Sequence, residues 1–422
     1  MSGEANGAIG GNRANRADRA DVLIVGVSAR AFAESAWRAG YAVRALDAFG
    51  DLDLKARVET IGLRRDLGRR WSASGAAVVA RALPADAVAY GANFENHPRA
   101  VRALAAARPG CPGRPARPGR RLLGNSPAAL ARCRDPWVLA EVVAAAGGRM
   151  PRTLGPGEVE RADRALAWLR KPVRGGGGSG VRPWTPGEPL GAHELLQERV
   201  PGTLASAVFL ADGRQARLLG LSRQLAGEAS LGAPGFRYCG SIYPLATPAA
   251  AALERRAGAL ARAFAEAFGL VGVNGFDFVL PEGEGEGNGE GEGEPWVLEL
   301  NPRYVASAEL IERALGLSIF GAHAAACAGS LEQGPPAAPA GCWGKAVVYA
   351  RSGAVAGATL EWLERDDVRD VPFPGERLER GAPVCTVFAR GTDATECRAR
   401  LEAAARTLEQ ELHAHSTARS LR

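Results

Sequence analysis

Lysine is nearly missing from this 422-residue chain: of 52 basic residues only Lys55, Lys171 and Lys345 are lysines, and methionine occurs twice. Arginine is thus the default cation, and the Ala/Arg/Gly/Pro-heavy composition reads as GC-rich coding. The formal charge is +6, and no basic run is interleaved with aromatics as a phosphate-backbone surface requires, so no nucleic-acid partner is expected. No apolar run reaches the roughly 18 residues of a membrane span, so no membrane partner is expected either. Residues 1–20 lack the apolar core of a secretory signal and read as a flexible, disordered tail. The seven cysteines are odd in number, scattered and without a CxxC pair. That argues against a disulfide scaffold and a Cys-type zinc site, and it fits a cytoplasmic location. The five histidines are equally scattered and offer no metal cluster. Collagen, coiled coil and wholesale disorder are excluded, since 46% of residues are hydrophobic and glycine has no strict period.

What is present reads as α/β and α+β in three domains. Residues 21–120 begin DVLIVGVSARAFAESAWRAGYAVRALDAF, a strand, glycine turn, helix and strand typical of a parallel, Rossmann-like sheet buried on both faces. A strand at 87–90 runs into GANFENHP, a loop at a strand's carboxyl end, where open α/β sheets place their ligand crevices. The Arg/Pro/Gly-rich segment 99–121 is either a solvated connector or an electropositive lip. Residues 121–332 form the middle domain, in which 282–294, of low complexity and glutamate-rich, interrupt a hairpin. Residues 333–422 read as a small α+β domain ending in a long helix.

Three motifs carry chemistry. In the first, Lys171 precedes the run Gly175, Gly176, Gly177, Gly178, Ser179, Gly180. Consecutive glycines let backbone N–H groups converge on phosphate oxygens, and a nearby lysine adds a point charge. The spacing is neither GxxxxGK[ST] nor GxGxxG. In the second, GFDFVL and VLELNPR place Asp277, Glu299 and Asn301 on a hairpin. Strand alternation puts Glu299 and Asn301 on one face, and two carboxylates with an amide oxygen are hard ligands suited to Mg²⁺ (or Mn²⁺). Arg303, on that face if the strand continues, can stabilise a transferring phosphoryl group. In the third, Gln197, Glu198 and Val200 precede Pro201-Gly202, where an edge strand would offer backbone groups to adenine while Glu198 takes the exocyclic amine or the ribose. Candidate substrate contacts are Arg223, Tyr238 and Ser241, between these motifs, and Glu95 in the first domain.

These motifs, in this order, resemble the ATP-grasp superfamily over most of the chain. The resemblance implies an N-terminal preATP-grasp domain, an ATP-grasp domain and a small C-terminal domain. It further implies that Lys171 and residues 175–180 hold ATP phosphates, that Gln197, Glu198 and Val200 lie at the adenine, and that Asp277, Glu299 and Asn301 bind Mg²⁺. Arg303 and Lys171 would be the catalytic cations. More narrowly, GVSARAFAESAWRAGY, LDAFGDLD, YGANFENHP and GNSPAAL look like predicted ATP-dependent carboligases, some of which accompany one-carbon metabolism. The implied activity is ligation of a small-molecule carboxylate to an amine through an acyl phosphate with release of ADP. A carrier cofactor of the methanofuran or tetrahydromethanopterin type is the implied product pathway, and a homodimer the implied assembly. Two features depart from the pattern. The Asp-Lys pair common at the start of the domain is Asp135-Pro136, so its lysine contact is lost or passes to an arginine such as Arg134. NPRYVASAE also resembles the biotin-carboxylase segment, but that family's catalytic glutamate would fall at about Ser307. The alternatives are a nucleotide-binding protein without turnover and a biotin-carboxylase-like carboxylase.

Overall fold

The computed structural model describes residues 20–107, 118–282, 294–332 and 339–420. The expectations for the tail up to residue 19, for residues 108–117 of segment 99–121 and for residues 283–293 of the insertion therefore lie outside the described residues. Four sheets form the frame. Strands β1 (Asp21–Gly26), β2 (Ala42–Asp47), β3 (Glu59–Gly62), β4 (Ala87–Tyr90) and β5 (Arg121–Leu123) make a parallel sheet of order β3-β2-β1-β4-β5. Val22, Leu23, Ile24 and Val25 are all fully buried, as a strand covered on both faces requires. Chain order reverses between β1 and β4, and the turns leaving their carboxyl ends, Ser28–Phe32 and Gly91–Ala92, open into one crevice.

A second sheet contains β6 (Thr153–Leu154), β7 (Trp168–Pro172), β8 (Arg182–Pro183) and β9 (Glu194–Glu198) in the order β6-β9-β7-β8. Strand β9 is thus an interior strand and not the edge expected for it. The third sheet has eight strands: β10 (Gly202–Asp212), β11 (Ala216–Ala226), β12 (Tyr238–Tyr243), β13 (Val271–Pro281), β14 (Trp296–Asn301), β15 (Cys342–Tyr349), β17 (Val368–Arg369) and β19 (Pro383–Gly391). The order β14-β13-β10-β11-β12-β15-β19-β17 shows that the C-terminal segment continues this sheet instead of building its own. Only β16 (Ala354–Val355) and β18 (Arg377–Leu378) pair apart from it.

The large sheet is apolar on both sides, and the two sides do different things. On β10, Ala205, Ala207, Phe209 and Ala211 face the helix Ala250–Phe268, where Phe209, Phe264, Phe276 and Phe278 form an aromatic core. Each such ring is worth about 2–3 kcal/mol in burial. The alternate residues Val208 and Leu210 pack toward the helices Ala306–Leu315 and Ile319–Cys327 and the first sheet. Ser206, on that second face, marks where packing gives way to a polar cavity. Among the described residues no single helix is long and apolar enough to cross a membrane.

His323 ties the second face to the site strand. Its Nδ1 accepts the Val273 N–H at 2.9 Å, which requires a neutral ring, and burial pushes its pKa down from 6.5 to about 4. The unfolded chain takes up this proton near pH 6.5 and the folded chain only near pH 4, so acidification across that window favours unfolding. We expect urea unfolding to report a loss of about 3 kcal/mol between those pH values from this group. His323→Gln should flatten that part of the stability profile, and an unchanged slope would disprove the assignment.

Candidate active site

The glycine run connects β7 to β8 and bends back against strand β12. Gly177, Gly178 and Gly180 have φ of 59°, 71° and 77°, in the left-handed region. The Gly177 carbonyl accepts the Tyr238 N–H at 3.0 Å. A Cβ at Gly178 would stand 1.8 Å from the Phe236 carbonyl oxygen, whereas one at Gly176 would meet nothing within 4 Å. The two glycines are therefore needed for different reasons, Gly178 for the backbone contact and Gly176 for an unobstructed amide.

The hairpin β13–β14 sets Asp277 directly opposite Glu299 and Gly275 opposite Asn301. Phe276 and Phe278 take the core side of β13, which leaves Asp277 and Val279 on the cavity side. Burial pushes the Asp277 carboxyl up to about 7, with the neighbouring Glu299 charge adding to it. Burial also opposes ionisation of Glu299, but Arg134, Lys171 and Arg303 outweigh it and hold that carboxyl below its usual range. Asp277 also accepts from Gln224 Nε2 at 2.5 Å and from Asn301 Nδ2 at 3.0 Å.

Three cations face this pair from separate parts of the chain. Arg134 follows the helix Pro127–Cys133, and its Nη1 lies 3.5 Å from Glu299 Oε2. Asp135 is spent on capping the helix Pro136–Ala145 through the Trp137 and Val138 N–H groups. Lys171 Nζ donates to Gln197 Oε1 at 2.9 Å, and burial lowers its pKa. Arg303, just past the end of β14, donates Nη2 to Asn301 Oδ1 at 2.9 Å and Nε to Glu95 Oε1 at 3.0 Å. The neighbouring Asn96 accepts from Arg134 Nε at 3.1 Å and donates to the Gly175 carbonyl at 3.4 Å. One turn of the first sheet's loop, Phe94–Asn96, thus steadies two site arginines and the glycine loop together.

A cavity of about 550 Å³ unites these groups. It is lined by Lys171, Gly175–Ser179, Gln197, Glu198, Val200, Tyr238, Ser241, Asp277, Glu299, Asn301 and Arg303, which are most of the residues singled out from sequence. Four candidates fall differently. Arg223 is exposed and outside the lining, because β11 alternates and turns Gln224 inward in its place. Glu95 is buried behind Arg303 and does not line the cavity, so it is a partner of Arg303 and not a wall of the substrate space. Gly180 closes the loop outside the lining. The Glu198 carboxylate does line the cavity but is engaged by the Arg152 N–H at 3.1 Å.

Sequence reasoning missed several wall residues. Across the sheet, Glu299, Asp277, Ser206, Gln224, Ser241 and Lys345 form a polar row: Asp277 pairs with Ser206, Gln224 with Ser241, and Ser241 with Lys345. Arg30, Ser307, Asp370 and Thr386 complete the far wall. Lys345 carried a usable signal, being one of three lysines; Ser206, Arg30, Asp370 and Thr386 carried none, since their neighbours are distant in sequence. Two half-buried carboxylates at one rung, with three cations around them, are hard oxygen donors of the kind that suit a divalent ion neutralising phosphate oxygens. Among the described residues no group of three or more His, Cys, Asp or Glu side chains forms a metal cage.

Residues 133–307 match the profile of the ATP-grasp domain family. No curated protein sequence matches the chain. Among solved structures, pyruvate carboxylase of Rhizobium etli is 16% identical with a TM-score of 0.67. The match covers 92% of this chain and 37% of that one, so the chain spans little more than a third of its length. The biotin carboxylase domain of Hydrogenobacter thermophilus 2-oxoglutarate carboxylase, a dimer in complex with MgADP, ADP and bicarbonate, is 16% identical with a TM-score of 0.66 over 91% of this chain and 89% of that one. N5-carboxyaminoimidazole ribonucleotide synthetase of Thermus thermophilus is 21% identical, with a TM-score of 0.62 over 91% and 97%. These likenesses concern the fold, a parallel sheet followed by an antiparallel ATP-grasp region. The hairpin that carries Asp277 and Glu299, the glycine loop and the strand bearing Lys171 all lie within the matched residues, and this part of the chain matches the ATP-grasp domain family.

Proposed function

We propose that the protein is an ATP-dependent carboxylate–amine ligase. The observation that carries this reading is the convergence of the Asp277–Glu299 pair, Lys171, the glycine loop and Arg303 on one cavity. ATP lies with its adenine along Gln197–Val200, held by backbone groups, since the Glu198 carboxylate is engaged by Arg152. Residues 175–179 and Lys171 hold its phosphates. Asp277 and Glu299, with Asn301 if its amide oxygen exchanges Arg303 for the ion, would hold Mg²⁺ (or Mn²⁺), which would supply neutralisation of the phosphate oxygens.

A substrate carboxylate oxygen attacks the γ-phosphorus, the bond to the β-phosphate oxygen breaks, and ADP leaves. Arg303, fixed by Glu95, stabilises the charge on the moving phosphoryl group. The amine then attacks the acyl-phosphate carbonyl, phosphate leaves with the bonding electrons, and the nitrogen loses a proton to give the amide. No protein nucleophile is needed, and among the described cysteines all but Cys327 are buried. Ser307, where a carboxylase of the biotin type would carry its glutamate, hydrogen-bonds Ser206 at 3.3 Å and supplies no base for bicarbonate. The biosynthetic setting we favour is a one-carbon carrier cofactor in the cytoplasm, with a homodimer as the working assembly.

The decisive experiment offers the protein Mg·ATP with a panel of carboxylates and amines and follows ADP and the condensed mass. Nucleotide binding with no ADP release for any pair would favour a binding protein without turnover, and bicarbonate-dependent hydrolysis would favour the carboxylase. Glu299→Ala should abolish ATP turnover while the melting temperature stays near that of the parent, and full activity would remove the metal assignment. Lys171→Ala should weaken nucleotide binding by about tenfold or more, the usual cost of a charge-assisted phosphate contact. Gly178→Ala should cost about 2 kcal/mol or more, through left-handed strain and the Phe236 carbonyl. Gly176→Ala, measured beside it, should leave stability unchanged and weaken nucleotide affinity alone.

A further inference from the structure

The cavity extends well past the phosphoryl-transfer centre. From Glu299 on β14 to Lys345 on β15 the polar row crosses five inter-strand steps, and four of them separate Lys345 from Asp277. At about 4.8 Å per step, the far end lies on the order of 19 Å along the sheet from Asp277. Its wall is a relay of alternating charge. Lys345 Nζ donates to Glu309 Oε2 at 2.7 Å, and Glu309 accepts Arg30 Nη1 at 2.7 Å and Nη2 at 3.0 Å. Arg30 in turn donates Nε to Asp370 Oδ1 at 2.6 Å and Nη2 to Asp370 Oδ2 at 3.3 Å.

The four members do not play equal parts. Arg30 is 1% exposed and Glu309 2%, and every Arg30 nitrogen is engaged by Glu309, Asp370 or Glu34. They form the clamp behind the wall. Lys345 has two N–H groups committed, to Glu309 and to the Ala306 carbonyl, and a third that is not. The Asp370 side chain, 22% exposed, keeps acceptor capacity on Oδ1 beyond its bond from Arg30. Both ends of the relay therefore offer one unspent polar function to the cavity, a donor with positive charge at one end and an acceptor with negative charge at the other.

We propose that this far end is a pocket for a zwitterionic head, an ammonium and a carboxylate borne close together as in a free amino acid, with the carboxylate on Lys345 and the ammonium on Asp370. The assignment rests on the ligase reading above. Each charge of the relay already has partners of opposite sign, Glu309 in Lys345, Arg30 and Arg313, and Arg30 in Glu309, Asp370, Glu34 and Asp53, so a lone carboxylate or a lone amine would add an uncompensated charge to a desolvated wall. A head carrying both charges adds none. An apolar head would bury the free Lys345 N–H and the Asp370 oxygen without partners. Beside the pair, the Thr386 hydroxyl donates to Asp370 Oδ2 and Ser307 hydrogen-bonds Ser206. Because the head sits strands away from Asp277, the reacting group is carried by the rest of that molecule, turned toward Arg303.

The test is calorimetric titration of the full chain, with Mg²⁺ and a non-hydrolysable ATP analogue, against single proteinogenic amino acids. Each is paired with its deaminated and its decarboxylated analogue. We expect at least one amino acid to bind saturably and both of its analogues to bind about tenfold more weakly or worse, as for a site with unmatched buried polar groups. Lys345→Met and Asp370→Asn should each weaken that amino acid by about tenfold while nucleotide affinity changes less than about twofold. Binding of the nucleotide analogue with no response to any amino acid overturns the proposal, as do analogues that bind as tightly as their parent. If a variant does not fold, the analogue comparison on the unaltered protein decides alone. Failure of the nucleotide analogue to bind is the separate result that removes the ligase reading, and this pocket's assignment with it.

Discussion

Two carboxylates on one rung of a buried hairpin repel each other, and the molecule is arranged around that repulsion. Asp277 and Glu299 face one another across β13 and β14, and desolvation opposes the ionisation of both. They are separated in behaviour by their surroundings. Arg134, Lys171 and Arg303 hold the Glu299 carboxyl below its usual range, while at Asp277 burial and the Glu299 charge outweigh Arg303 and push the carboxyl up. Each cation comes from a different stretch of chain, so the charge balance at this rung can exist only when all three stretches are folded together. A divalent ion at the same rung would relieve the repulsion directly, which is why a site so costly without one is itself an argument for one.

The same logic explains why the first sheet is held against the ATP-grasp domain. Its contribution is not a wall of the phosphate site but a pair of adjacent side chains in the turn Phe94–Asn96. Glu95 fixes Arg303, and Asn96 fixes Arg134 and the first glycine of the loop. At the other end Arg30, at the start of the helix Arg30–Arg38, joins Glu309 on one segment and Asp370 on another. Ion pairs as buried as these add little net stability, since desolvation offsets most of the attraction, but removing one partner strands the other. Their value is geometric: they fix the register in which the first sheet, the large sheet and the C-terminal strands meet over one cavity.

That division also decides what could be read from the sequence. The parallel first sheet was legible because Val22–Val25 is a continuous apolar run, and the acid pair because alternation on GFDFVL and VLELNP leaves only one side for Asp277 and Glu299. Such signals are local. Arg223 was misplaced because a single residue decides which face of a strand is meant, and nothing in RQL distinguishes Arg223 inward from Gln224 inward. Strand β9 reads as an edge when only its turn is visible, and it becomes interior once β6 and β7 flank it. Arg30, Glu309, Lys345 and Asp370 share no period at all; 340 residues separate the Arg30 and Asp370 that hydrogen-bond.

Lysine usage links the two ends of the cavity. In a chain where arginine serves nearly every other cationic position, two of three lysines line this one space, while the third, Lys55, pairs with Asp66 at the surface. Arginine spreads its charge over a planar fork and suits permanent clamps such as Arg30 and Arg303, whose donors are spent on fixed carboxylates. Lysine concentrates its charge on a rotatable ammonium that can keep one N–H unspent. Lys171 beside the glycine loop and Lys345 at the remote wall are the two cavity cations built this way. The split between fork and point charge thus separates the groups that hold the protein's own side chains from those left free to meet something else.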